Sequence, residues 1–122
     1  MLDKRKYQRF NLENNIFLKF ESYPAKTIQG KLLNISFVGL SIFLIENVNV
    51  DAIVQFIVQF DFPGSPEHLV GKGKIVYACQ HRLDMQDGFK IGLEFIGVDK
   101  KFLVNIISGL RSKILDQIRK KG

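Results

Sequence analysis

Apolar and polar residues alternate with a period of two over most of this chain, and the period lengthens to three and four only near its end. A strand-forming body followed by one helix is the expected order. The alternation is cleanest over residues 53–60, where Val54, Phe56, Val58 and Phe60 point one way and Gln55 and Gln59 the other. Residues 89–95 repeat it, with Phe89, Ile91, Leu93 and Phe95 interleaved by Lys90, Gly92 and Glu94. Such strands bury one face and wet the other. Further strands are predicted over residues 16–20, 27–36, 40–45 and 68–80.

Between these runs stand the residues that interrupt them. Ser22-Tyr23-Pro24 reads as the turn closing the first strand, Phe62-Pro63-Gly64-Ser65-Pro66 as a loop, and a hairpin loop is expected to end in Asp87-Gly88. In the second strand, alternation sets Leu32, Asn34 and Ser36 on one face and Leu33 and Ile35 on the other. Phe37-Val38-Gly39 then makes either a tight bend between two strands or a bulge within one. After Gly97, Asp99 is placed to cap a helix over about residues 99–121, whose apolar positions Phe102, Leu103, Ile106, Ile107, Leu110, Ile114, Leu115 and Ile118 follow helical spacing. Arg119, Lys120 and Lys121 suit the negative end of its dipole, and Gly109 weakens it by roughly 1 kcal/mol relative to Ala. Six strand-like runs and one amphipathic helix suggest a mainly β fold: a small antiparallel barrel closed or capped by the helix.

Composition narrows the class. A chain of 122 residues, 46% hydrophobic and 25% charged, suits one globular domain with one core. The formal net charge of +6 favours an anionic partner. Cys79 is the only cysteine, which excludes an internal disulfide, and on a strand it is expected to be a small buried apolar residue. No run approaches the roughly 18 apolar residues of a membrane span, and the start Met1-Leu2-Asp3-Lys4 lacks a secretory leader's apolar stretch, so a cytoplasmic address is expected. His68 and His81 have no cysteine or carboxylate set at metal spacing, and no nucleophile has a base and orienter beside it in the sequence. Catalysis, a metal and a cofactor are therefore not expected.

Cations gather in residues 1–11, with Lys4, Arg5, Lys6 and Arg9, and this stretch is expected to be a flexible basic arm on a body spanning residues 12–122. Tyr7 and Phe10 would anchor the arm to the barrel edge. Arg5-Lys6-Tyr7-Gln8-Arg9 reads as RxxxR, and Asn34-Ile35-Ser36-Phe37-Val38-Gly39 as [D/N]xSxxG. In order, separation and strand context, with Gly92-x-Glu94-Phe95 and a terminal helix after them, the chain resembles the PilZ domain, the bacterial receptor module for cyclic di-GMP. The resemblance covers nearly the whole chain and implies a closed six-stranded, split-barrel type of fold.

It also implies a ligand and its contacts. An arginine fork matches guanine N7 and O6 with two parallel donors, which a lysine cannot do, and it can lie flat on a purine. The resemblance gives that part to Arg5 and Arg9. Asn34 would read a guanine edge with one acceptor and an amide donor where many relatives carry an ionised Asp; Ser36 would donate to a phosphate or base, and Gly39 would let the backbone turn or approach closely. Lys4, just before the first motif arginine, sits where the family is thought to choose between one ligand and a stacked pair. The implied function is a non-enzymatic cyclic di-GMP receptor that passes its signal by contact to a downstream protein in motility, adhesion or exopolysaccharide control. Two other readings stand beside it: a PilZ-like interaction module without ligand, and a small barrel that stacks single-stranded nucleic acid. The second is disfavoured because the aromatic residues fall mostly on the apolar sides of their strands and the cations gather at both termini.

Overall fold

The strongest alternation in the sequence becomes the wall of the core. Val54, Phe56, Val58 and Phe60, on one face of β5 (Ile53–Phe62), are all at most 1% exposed. The computed structural model describes residues 10–11, 14–62 and 65–121, with side chains described over 14–60 and 68–110. Around β5 lie β1 (Phe10–Asn11), β2 (Asn15–Phe20), β3 (Tyr23–Ile35), β4 (Gly39–Leu44), β6 (Ser65–Leu83) and β7 (Gln86–Val98). All pairings are antiparallel, and the order β3-β2-β5-β6-β7-β4 closes on itself because β3 also pairs with β4. Six strands thus make a closed barrel. The two-residue β1 continues the line of β2 along the same edge of β3, setting Phe10 opposite Ile35 and Asn11 opposite Asn34.

Closure buries Ile16, Leu18, Leu32, Ile35, Ile42, Leu69, Ile75 and Ile91 with no exposed surface. At roughly 1.5–3 kcal/mol for each fully buried aliphatic side chain, this interior is the main source of stability. The helix α1 (Lys100–Lys121) joins the same cluster through Leu103, Ile106, Ile107 and Leu110. Its start is fixed by Asp99, whose Oδ1 accepts from the backbone N–H of Lys101 at 3.0 Å and of Phe102 at 3.2 Å. That is the cap the sequence predicts.

Several boundaries differ from the sequence expectation. The first turn is Glu21–Ser22, and Tyr23 and Pro24 already belong to β3, where an exposed strand start tolerates a proline. A register shift between Leu32 and Asn34 breaks the predicted alternation, so Leu32 and Ile35, placed on opposite faces by counting, are both fully buried. The bend at Ser36, Phe37 and Val38 separates two strands, and Ile45 lies beyond β4, 68% exposed. The β6–β7 hairpin turns at Asp84 and Met85, which take φ of 49° and 67°, while Asp87 and Gly88 sit within β7 opposite Arg82 and His81. Cys79 is exposed, on the outer side of β6, with its thiol 3.8 Å from the Lys90 carbonyl.

Candidate ligand-binding site

The bend after β3 is held by its own backbone. Ser36 donates its N–H to the Gly39 carbonyl at 3.0 Å, and its Oγ accepts the Val38 N–H at 3.3 Å. The Val38 carbonyl in turn accepts the Phe95 N–H at 2.9 Å, tying the bend to β7. Gly39 is required there by space: a Cβ would overlap the Leu93 carbonyl oxygen of the facing strand. Ser36 is 3% exposed and Asn34 8%, so both polar groups sit in the wall and not on a waving loop.

A cavity of about 160 Å3 opens where the bend meets β6 and β7, lined by Asn34, Ser36, Val38, Gly39, Leu40, Ser41, Val76, Tyr77, Gly92, Leu93 and Glu94. Three of the expected residues, Asn34, Ser36 and Gly39, therefore share one concavity. Lys4, Arg5 and Arg9, and Tyr7 with them, lie outside the described residues. The pairing of β1 nevertheless sets Phe10, which follows Arg9 in the sequence, opposite Ile35, the residue between Asn34 and Ser36.

The far wall contains residues outside the RxxxR and [D/N]xSxxG motifs. Tyr77 lies across Gly92, where a Cβ would overlap its ring, and its hydroxyl meets Ser41 Oγ at 3.1 Å. Ser41 is 2% exposed, and this contact satisfies it. Glu94 adds a carboxylate with two acceptor oxygens beside the amide and hydroxyls. Only pairing register brings these residues together: Gly39 faces Glu94, Ser41 faces Gly92, and Gly92 faces Tyr77 after a register shift between Ile75 and Tyr77. A sequence carries no local sign of that shift. The set offers donors, acceptors and an aromatic edge around a shallow floor, well short of the roughly 300–1,000 Å3 of pockets that enclose a ligand. Two roomier grooves, of about 540 and 590 Å3, meet at Ile45 and contain no residue of either motif.

A closed six-stranded antiparallel barrel with a terminal helix and a polar floor outside β4, β7 and β6 defines a small β-barrel domain of one recognisable class. The PilZ domain family model matches residues 3–110, and the chain belongs to that family. Comparison with curated proteins by sequence gives no match. Among solved structures, the chain is similar to the PilZ domain with c-di-GMP of YcgR from Escherichia coli, with a TM-score of 0.74 and 15% identity over 97% of this chain and 99% of that one. It is also similar to the Bacillus subtilis inhibitor of motility MotI/DgrA, with a TM-score of 0.71 and 15% identity over 99% of this chain and 55% of that one. The MrkH–c-di-GMP complex of K. pneumonia gives a TM-score of 0.70 and 15% identity over 98% of this chain and 56% of that one. The chain thus spans about half the length of MotI/DgrA and MrkH.

Proposed function

We propose that this chain is a cyclic di-GMP receptor without catalytic activity, in which the dinucleotide bridges the basic N-terminal segment and the polar floor. The observation that carries the reading is the pairing of β1, which sets Phe10, the residue after Arg9 in the sequence, opposite Ile35, between the cavity-lining Asn34 and Ser36. Arg5 and Arg9 supply guanidinium forks for guanine edges and phosphates, and Lys4 adds a third cation. Asn34 and Ser36 take the far side of the ligand, and Glu94 supplies the ionised acceptor that Asn34 does not. A floor this shallow needs a second wall, which the arginine segment provides. YcgR and MrkH, both of this fold, are solved with c-di-GMP, which supports the same ligand here. The signal then passes by contact to a protein partner in the cytoplasm.

Calorimetric titration with cyclic di-GMP tests this directly. Wild type is expected to bind at micromolar concentration or tighter, and Arg9→Ala to lose at least tenfold in affinity while keeping its thermal unfolding midpoint. A flat wild-type trace from folded protein would leave the interaction-module reading in its place.

A further inference from the structure

Of the stretches of backbone edge that strand pairing leaves without a neighbouring strand among the described residues, one lies on β3 and one on β6. On β3, β2 pairs on one side from Tyr23, but β4 joins the other side only at Lys31. That edge carries Pro24, which has no N–H to offer, and Lys26, held by Glu46 at 3.0 Å. Proline and lysine are the residues that keep an edge from recruiting another strand. On β6, β5 pairs as far as Lys74, and backbone bonds from Asp51 to Ile75 (2.7 Å) and from Ile75 to Ala52 (2.9 Å) end the coverage. β7 continues along the opposite side to Leu83.

Residues 76–83 therefore present one open edge, and all of residues 76–82 except Ala78 are exposed. This edge has neither proline nor lysine. Its one formal charge, Arg82, is paired at 3.1 Å with Asp87 of the same hairpin. A long edge of this kind, with a single charge and that one paired, is a template for β-augmentation.

We infer that the β6 edge pairs antiparallel with the β6 edge of a second copy of this chain, carrying that copy's His81 onto the face that holds the candidate ligand site. Self-pairing suits the sequence of the edge. With the two-fold axis at Cys79, Ala78 faces Gln80, Tyr77 faces His81 and Val76 faces Arg82, so no like charges oppose each other across the strands. Alternation puts Tyr77, Cys79 and His81 on one face, where Tyr77 reaches Ser41 and His81 packs edge-on to Phe43 with ring centroids 6.2 Å apart. Directly opposed side chains on one face have Cβ atoms roughly 4.5–5.5 Å apart. The imidazole of the second copy therefore stands beside Tyr77, at the wall of the shallow cavity, as a further donor for an anionic ligand. This ligand role rests on the proposed function; the strand pairing does not.

Sedimentation velocity of the full chain, with and without cyclic di-GMP, tests the inference. The expected result is a dimer whose dissociation constant falls at least tenfold with the dinucleotide present. Cys79→Lys and Cys79→Glu place like charges at the two-fold axis, so each is expected to be monomeric with an unchanged circular dichroism spectrum, and an equimolar mixture of the two to dimerise again. A wild type that stays monomeric with ligand bound, or single variants that dimerise as wild type does, would overturn the proposal. Persistent pairing and charge-swap rescue, with no heat of dinucleotide binding in any variant, would uphold the strand pairing and remove the ligand reading instead.

Discussion

Asn34 has two roles that pull in opposite directions. As a neutral residue 8% exposed, it sits in the barrel wall without the desolvation cost of a carboxylate, yet in the proposed receptor it would grip a guanine edge through weaker hydrogen bonds than an ionised acceptor makes. Asn34→Asp is therefore expected to tighten cyclic di-GMP binding about tenfold, near the 1.4 kcal/mol that separates neutral from charge-assisted bonds. The same change is expected to lower unliganded stability by about 1–3 kcal/mol in urea titration. Weaker binding in the variant would mean that the amide N–H, not the oxygen, meets the ligand. Tyr77 supports the opposite wall. Tyr77→Phe leaves the buried Ser41 hydroxyl unpaired and is expected to cost about 1–2 kcal/mol, part of which Tyr77→Phe with Ser41→Ala regains. An additive double-mutant cycle would remove the hydrogen bond from the account.

At the scale of elements, the hairpin between β6 and β7 stores strain that the sequence hides. Asp84 and Met85 both hold positive φ, the geometry of the tight turn that suits twisted strands, and Met85 does so with a side chain 88% exposed. A left-handed conformation costs an L-residue roughly 1–2 kcal/mol, so Met85→Gly is expected to raise the urea midpoint and stabilise the fold by about 1 kcal/mol. An unchanged midpoint would show that the turn is relaxed in solution. The same hairpin explains what sequence reading reaches and what it misses. Strands such as β5 are legible because every second residue is apolar and stays in register with the core. Sequence reading ends the hairpin loop at Asp87-Gly88 because glycine is the usual holder of positive φ, whereas Asp84 and Met85 take it. Bulges are less legible still. The extra residues near Leu33 and Val76 reverse the alternation after them, and Tyr77, Ser41 and Glu94 reach the site through pairings 15 to 55 positions apart. A motif read along the chain finds Asn34, Ser36 and Gly39 because one bend holds them together.

For the molecule as a whole, the net charge of +6 bears on how the proposed ligand would arrive and how firmly it would stay. Among the described residues, Lys26, Lys72, Lys74 and Arg82 are each engaged by a carboxylate, of Glu46, Glu21, Asp51 and Asp87 respectively. These pairs are exposed, contribute at most about 1 kcal/mol each, and neutralise much of the field around the barrel. Residues 1–9 carry Lys4, Arg5, Lys6 and Arg9 against Asp3 alone, so the segment proposed to clasp the ligand holds an excess of positive charge. Two phosphodiesters meeting that excess form interactions that salt screens over a Debye length of about 10 Å at 0.1 M and about 3 Å at 1 M. The hydrogen bonds proposed to the buried Asn34 and Ser36 would be screened far less. Raising sodium chloride from 0.05 to 0.5 M is thus expected to weaken cyclic di-GMP binding by about tenfold in wild type, mostly through slower association. In Arg5→Ala with Arg9→Ala the residual affinity is expected to be low and nearly independent of salt. If the double variant keeps the full salt dependence, the steering charge lies on the barrel surface and the N-terminal segment is not the clasp.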